Sequence, residues 1–366
     1  MAITPMLKKV FDMSNVRVKV VAVSMLMLYF CILIQYVATR FGTADPIPDL
    51  RVKMEKVREA RLSTVRVRTG LFIKNIPLFD EIKNSFIIDS IIWFDFNHDE
   101  LMLKTIEQFS IDNGKILYKS EPDIKVKDNR LFAKYNVLFE VRTDLRHYRF
   151  PFDDHRLSII LSNDFVTPDE MAFLVDRTSF GIAKNLFVSN WKIYDTNVNF
   201  GYSHLVIDQA DKSAVTSAPK ALFIINFVKA GFRKILIIFL PILAALFLSL
   251  CSFLMGITNT VGRLNLAIAG VTALLGYRFV IESMMPKVGY FTTTDEVYLV
   301  LLIIAFLCFM SQLLMTRYYS SMDEASRADK KVDMQQIKSF LEVLNNIIFV
   351  TMVTLLLGPV SYILLK

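Results

Sequence analysis

Residues Ile235–Met255, ILIIFLPILAALFLSLCSFLM, carry no charge, and the stretch is about as long as the ~20 residues that a helix needs to cross a bilayer. Three further apolar stretches follow it, at Leu264–Ile281, Val297–Met315 and Val343–Leu365. The last two are also uncharged, whereas Leu264–Ile281 holds Arg278. An arginine at a helix centre costs about 2.5–3.5 kcal/mol on insertion scales, so Arg278 is expected to face protein or water and its helix to lie inside a bundle. A fifth apolar run, Val20–Thr39, sits behind Lys8, Lys9, Arg17 and Lys19, a flank that predicts a cytoplasmic start. A cleavable signal peptide is the competing reading, because Gly42 and Ala44 suit a small-residue processing site. The run is longer than the usual apolar core of ~7–15 residues, which favours a retained anchor. Five spans then place Arg317–Glu342, with Arg317, Arg327, Lys330, Lys331 and Lys338, on the inner side.

Composition agrees with this layout. The chain has 366 residues, 54% of them hydrophobic, and a mean hydropathy of +0.42, which reads as an integral membrane protein with one extramembrane domain of roughly 190 residues. A net charge of +7 fits basic membrane-flanking segments and does not call for nucleic acid. The cysteines, Cys31, Cys251 and Cys308, all fall in expected spans, so the extramembrane domain has no disulfide framework and must hold by packing.

The expected organisation is a cytoplasmic N-terminus over 1–19, an anchor over 20–39, a linker over 40–64, a β domain over 65–232 and a four-helix membrane domain over 233–366. In the linker, Asp45-Pro46-Ile47-Pro48 reads as a breaker and Arg51–Arg61 as a charged spacer able to form a short helix. From Val65 the rhythm is that of strands. Val65 and Val67 alternate with Arg66 and Arg68, and Tyr135, Val137, Phe139 and Val141 alternate with more polar neighbours. Runs at Phe86–Phe96, Leu157–Leu161, Trp191–Tyr194 and Ala221–Val228 are set apart by turn signals such as Asp112-Asn113-Gly114 and Lys127-Asp128-Asn129. Several such strands suggest a β-sandwich ahead of the helices, a membrane α+β class.

One segment calls for more than architecture: Thr143-Asp144-Leu145-Arg146-His147-Tyr148-Arg149-Phe150-Pro151-Phe152-Asp153-Asp154-His155-Arg156-Leu157. It resembles the signature loop of the pentameric ligand-gated ion channels, the Cys-loop receptor superfamily. In that family a Phe-Pro-Phe-Asp core lies between two positions that are cysteines in animal members. Thr143 and Leu157 stand there, so the loop resembles the bacterial type without the disulfide. Pro241 resembles the family's proline in the first channel helix, Lys229 a basic position before it, and Met285-Pro286-Lys287-Val288-Gly289-Tyr290 the link between the second and third. The resemblance covers about Val65–Lys366.

It implies a homopentamer in the bacterial inner membrane with the sandwich in the periplasm, an unknown small ligand or protein partner, surrounding membrane lipids and a central pore. In that reading Phe150, Pro151 and Phe152 pack on the outer ends of the helices near Pro286, and Asp153 pairs with Lys287, Lys229 or Arg233. The alternative is that Phe-Pro-Phe fills the base of the sandwich while Asp153 caps a turn. At helical spacing, Asn265, Ala269, Thr272, Gly276, Phe279 and Ser283 form one small and polar face, with Arg263 at its inner and Glu282 at its outer end. The resemblance implies that these line the pore, with Arg263 as a positive inner ring. Small residues that let helices approach closely are the other reading of the same face. Trp191, Tyr194, Phe200 and Tyr202 are the candidates for a ligand pocket, or else core residues. Three features depart from the family. Thr272 stands where relatives usually place an apolar ring midway, which moves a closed gate elsewhere, towards Phe279. Phe96-Asn97-His98 stands where many relatives have Trp-x-Asp, and Val261-Gly262 precedes Arg263 where cation-selective relatives carry a glutamate.

His155 beside Asp153 and Asp154 does not make a convergent metal or catalytic set in a chain with four histidines. No phosphate loop, nucleophile elbow or metalloprotease helix occurs, so no cofactor and no enzyme activity are expected. The two function classes left are a gated channel and a non-conducting pentameric scaffold, sensor or accessory subunit.

Overall fold

The computed structural model describes residues 16–48, 50, 64–81, 83–203, 205–206, 215–327 and 333–366. Lys8, Lys9, the expected short helix over Arg51–Arg61, Lys330 and Lys331 lie outside the described residues. Two compact units emerge. One joins the chain up to Phe41, the six residues His147–Phe152 and everything from Gly231 onward; the other comprises Gly42–Arg146 and Asp153–Ala230.

The second unit is β-rich. Its strands run β1 Val65–Asp80, β2 Ser85–Asn97, β3 Ser110–Ile111, β4 Gly114–Lys119, β5 Asp123–Lys127, β6 Arg130–Arg142, β7 His155–Ser162, β8 Met171–Leu174, β9 Phe180–Ile182, β10 Trp191–Tyr202, β11 Leu205–Val206, β12 Val215–Thr216 and β13 Pro219–Lys229. A seven-stranded sheet has the order β4-β6-β2-β1-β8, with β5 also on β6 and β9 also on β1; a four-stranded sheet has the order β10-β13-β7-β3. The period-two rhythm explains how they meet. In β6 the side chains of Leu131, Ala133, Tyr135, Val137, Phe139 and Val141 are buried while their neighbours are not. They share one apolar cluster with Leu157, Ile159 and Leu161 of β7 and Ala221, Phe223, Ile225 and Phe227 of β13. The hairpin between β5 and β6 turns on Asp128 and Asn129, with φ of 48° and 61°, the left-handed conformation that a tight two-residue turn demands.

The other unit is helical: α1 Val16–Ala38, α2 Arg233–Cys251, α3 Thr260–Met284, α4 Thr293–Arg327 and α5 Met334–Leu365. All five are long and apolar enough to cross a membrane, which makes this an integral membrane protein. The segment Arg317–Glu342, expected as a loop, is largely helix: α4 runs on to Arg327 and α5 begins at Met334, capped by the Asp333 carboxylate on the N–H groups of Gln335 and Gln336. The apolar span ends before the helix does, because polar residues continue a helix in water as readily as apolar ones do in lipid. Helix α1 buries one stripe, Val23, Leu26, Phe30, Leu33, Ile34 and Val37, within the bundle's core cluster, and its Tyr29 hydroxyl hydrogen-bonds the Ser361 Oγ of α5 at 2.8 Å.

Where α2 meets α3, Gly270 leaves no room. A Cβ there would lie 2.0 Å from Ser249 Oγ and 2.7 Å from the Ala245 carbonyl oxygen, whereas at Gly276 it would meet nothing within 4 Å. Gly270→Ala is therefore expected to destabilise the bundle by about 1–3 kcal/mol through overpacking. Gly276→Ala should leave the thermal midpoint of the purified protein in detergent where it is, and fluorescence-monitored melting of the two variants checks the contrast.

Candidate functional site

The segment that resembles a signature loop joins β6 of the larger sheet to β7 of the smaller one. Its middle six residues belong to the helical unit. Two tight turns shape it, with Phe150 N–H donating to the His147 carbonyl at 3.2 Å and Phe152 N–H to that of Arg149 at 2.7 Å. The first turn of α4 has N–H groups with no partner within the helix, and the loop supplies them. Thr293 N–H donates to the Tyr148 carbonyl at 2.9 Å and Thr294 N–H to that of Phe150 at 3.1 Å, with the Thr294 hydroxyl on the same oxygen at 2.8 Å. Tyr148 stacks on Tyr290 at 4.1 Å, and the Tyr290 hydroxyl accepts the His147 N–H at 2.8 Å.

Phe150 and Phe152 are 2% and 5% exposed and sit in the core cluster of the helices, with Phe152 stacked on Phe239 at 5.5 Å. The alternative in which Phe-Pro-Phe fills the base of the sheets does not hold for these two side chains. The cation over Phe150 is Lys234, at 4.9 Å from the ring centre; its neighbour Arg233, named from sequence as a partner for Asp153, is exposed. Lys287 is exposed and Pro286 half-buried. Lys234 and Phe239 escaped sequence reasoning because nothing in an apolar helix marks the side on which a loop will rest.

On the β side, the residues just outside this loop form a second constellation. Asp45 was read as part of a spacer, yet it is buried. Its carboxylate accepts the N–H groups of Arg146 at 2.6 Å and Arg156 at 2.8 Å and lies 3.1 Å from His155 Nδ1. Burial alone would raise its pKa, but the hydrogen bond and charge of His155 and the two backbone donors hold it below the ordinary carboxylate value. The Asp154 carboxylate accepts from Gly42 N–H at 2.8 Å and Lys229 N–H at 3.1 Å. Asp153, the residue expected to carry the pairing, is buried; the carboxylate on the Lys229 N–H is that of its neighbour. Two acidic residues thus gather the chain ends at Gly42, Arg146, Asp154 and Lys229, which are the places where the chain leaves or enters this unit.

The exposed side of α3 is broad and takes in the apolar Ile268, Leu275 and Val280 as well as the candidate stripe. Asn265, Ala269, Thr272, Gly276, Phe279, Glu282 and Ser283 are all exposed, Phe279 at 80%. The buried face is Arg263, Ala267, Gly270, Leu274 and Ile281. Arg263 is the correction. It is 2% exposed and donates to the Asn345 Oδ1 of α5, so within this chain it points away from the exposed face rather than standing at the end of it. Position 263 is a quarter turn or more away from the 265–269–272 stripe at ~100° per residue, and a helical count from the stripe would have excluded it. Arg278 bridges Glu282 at 2.8 Å and Asp295 of α4 at 2.7 Å, its charge answered by two carboxylates.

The four aromatic pocket candidates differ in their burial. Trp191 is in the core, 5.1 Å from the His155 ring and beneath the Lys229 ammonium, also at 5.1 Å. Phe200 packs partly against the same core. Tyr194 falls at the register shift of β10 on β13 and is 62% exposed. Tyr202 is half-buried, and burial, with the nearby Asp169 charge, pushes its phenol up. No model of a known protein family matches the chain, and comparison with curated proteins yields no match either.

Proposed function

We propose that this chain is a subunit of a pentameric ligand-gated ion-channel-like protein of the Cys-loop receptor type, with the two sheets as a sensing β-sandwich and α3 lining a central pore. The observation that carries the reading is the exposed stripe Asn265–Ala269–Thr272–Gly276–Ser283 on a helix long and apolar enough to span a membrane. Polar side chains facing lipid are costly, so copies of this face meet one another around water. The anchoring of Phe150 and Phe152 among the helices supports the loop as the transmission element.

Arg263 has no part in this lumen, which leaves the outward Glu282 as the charged group on the exposed face and removes the argument for an anion-favouring inner ring. Single-channel recording from purified protein in planar bilayers, beside a mass measurement of the oligomer, tests the reading. A pentamer that conducts is expected, with Thr272→Leu narrowing a polar level of the pore and lowering open probability. A monomer in gentle detergent and in nanodiscs overturns it. A silent pentamer, equally silent as Thr272→Ala and Thr272→Ser across pH, voltage and candidate ligands, favours the scaffold, as an 80% exposed Phe279 aimed into the lumen also would.

A further inference from the structure

At the end of the bundle where α2 stops and α3 starts, two cations from different helices are buried together. Lys19 of α1 is 6% exposed and its ammonium donates to the Phe253 carbonyl at 3.3 Å. The Asn345 amide of α5 donates to that same carbonyl at 3.1 Å and accepts from Arg263 Nη2. Among the described residues, Arg263 Nη2 has beyond this amide only the Met315 thioether at 3.8 Å, a weak acceptor, and Nε of the buried guanidinium has no hydrogen-bond partner. One helical turn along α4 from Met315, Gln312 is fully buried with neither its Nε2 nor its Oε1 partnered. Among the described residues, neither Lys19 nor Arg263 forms an ion pair, and Glu342, the carboxylate whose charge reaches Lys19, is exposed.

This arrangement is incomplete as it stands. Removing a cation from water costs several kcal/mol even after relaxation, and a carbonyl, an amide and a thioether do not offset two positive charges. What the cluster offers is an excess of donors, a guanidinium edge and an ammonium, beside the first turn of the 25-residue α3, whose dipole also favours an anion. A planar fork with a point cation beside it matches a tetrahedral oxyanion with several acceptor oxygens better than it matches a halide. The cluster lies at one end of the spanning helices, where phospholipid headgroups carry such oxyanions.

We propose that Lys19 and Arg263 form a phosphate-binding site, filled by the phosphodiester of a membrane phospholipid or by free phosphate, that ties α1 to the bundle. The site is independent of whether the protein conducts. The test uses the full chain, purified and stripped of lipid, with thermal unfolding followed while phosphatidylglycerol, diacylglycerol with the same acyl chains, or inorganic phosphate is added; bound phosphorus per chain is counted in parallel. Phosphatidylglycerol is expected to raise the unfolding midpoint and to be retained, and diacylglycerol to do neither. A response to inorganic phosphate alone assigns the site to the free ion, and a response to the phospholipid alone assigns it to the headgroup. Lys19→Gln and Arg263→Gln should each weaken binding about tenfold, the loss of one charge-assisted hydrogen bond. Lys19→Gln lies at the edge of the cluster and keeps the measurement interpretable if Arg263→Gln fails to assemble. Equal stabilisation by diacylglycerol, or unchanged phosphatidylglycerol binding in Lys19→Gln, overturns the proposal and leaves buried water as the partner of these groups.

Discussion

Asp45→Ala is expected to destabilise the β unit by about 3–5 kcal/mol, because three donors around a buried carboxylate lose a charged acceptor at once. The donors are the N–H groups of Arg146 and Arg156 and the ring of His155. Asp45→Asn keeps an acceptor oxygen and should lose only about 1–2 kcal/mol, the charge-assisted part. The sign of the pH dependence follows from a carboxylate whose folded pKa lies below its unfolded one. The stability it contributes is complete above the unfolded carboxylate value of about 4 and is lost as pH falls through the lower folded value. Melting curves between neutral and acid pH check this: the parent should lose stability over that acidic window, and Asp45→Asn should lose less of it. A parent and variant with superimposable acid profiles would show that the carboxylate charge contributes nothing.

Phe152→Ala should be nearly as severe within the helical unit. It removes a ring that is 5% exposed and stacked on Phe239, a change that typically costs about 3–5 kcal/mol. Phe152→Leu, which keeps most of the volume, should cost less than about 1.5 kcal/mol. An interface tip could be trimmed with assembly intact; a side chain inside the helix core cannot be. Size-exclusion profiles and melting midpoints of the two variants separate the cases. Phe152→Leu is then the variant in which transmission is measured, since it still assembles.

The parts of the fold legible in the sequence were those written in repeated local rhythm. Twenty uncharged residues can only span or be buried, and the alternation through β6 and the Asp128-Asn129 turn each follow from backbone geometry alone. What the sequence hid was pairing at a distance. Asp45 looks like a residue in a proline-rich breaker, and nothing local says that its partners lie 101 to 111 residues later. The partner of Arg263, Asn345, lies 82 residues away in a stretch that reads only as an uncharged span. Charged residues at helix ends are read by default as facing water, and that default fails wherever another helix covers them.

Helix α1 and helix α5 are held by contacts such as Tyr29 to Ser361, separated by 332 positions. Synthesis therefore delivers the first membrane helix long before its partner exists. Between the two events the ribosome must make the whole β unit, so α1 waits in the bilayer with its Phe30 stripe against lipid, where an apolar face costs little. Lys19, at the start of that helix, waits at the headgroup level, where long basic side chains reach water. Its enclosure therefore has to wait for Phe253 and α5, the last of which is made at the far end of synthesis.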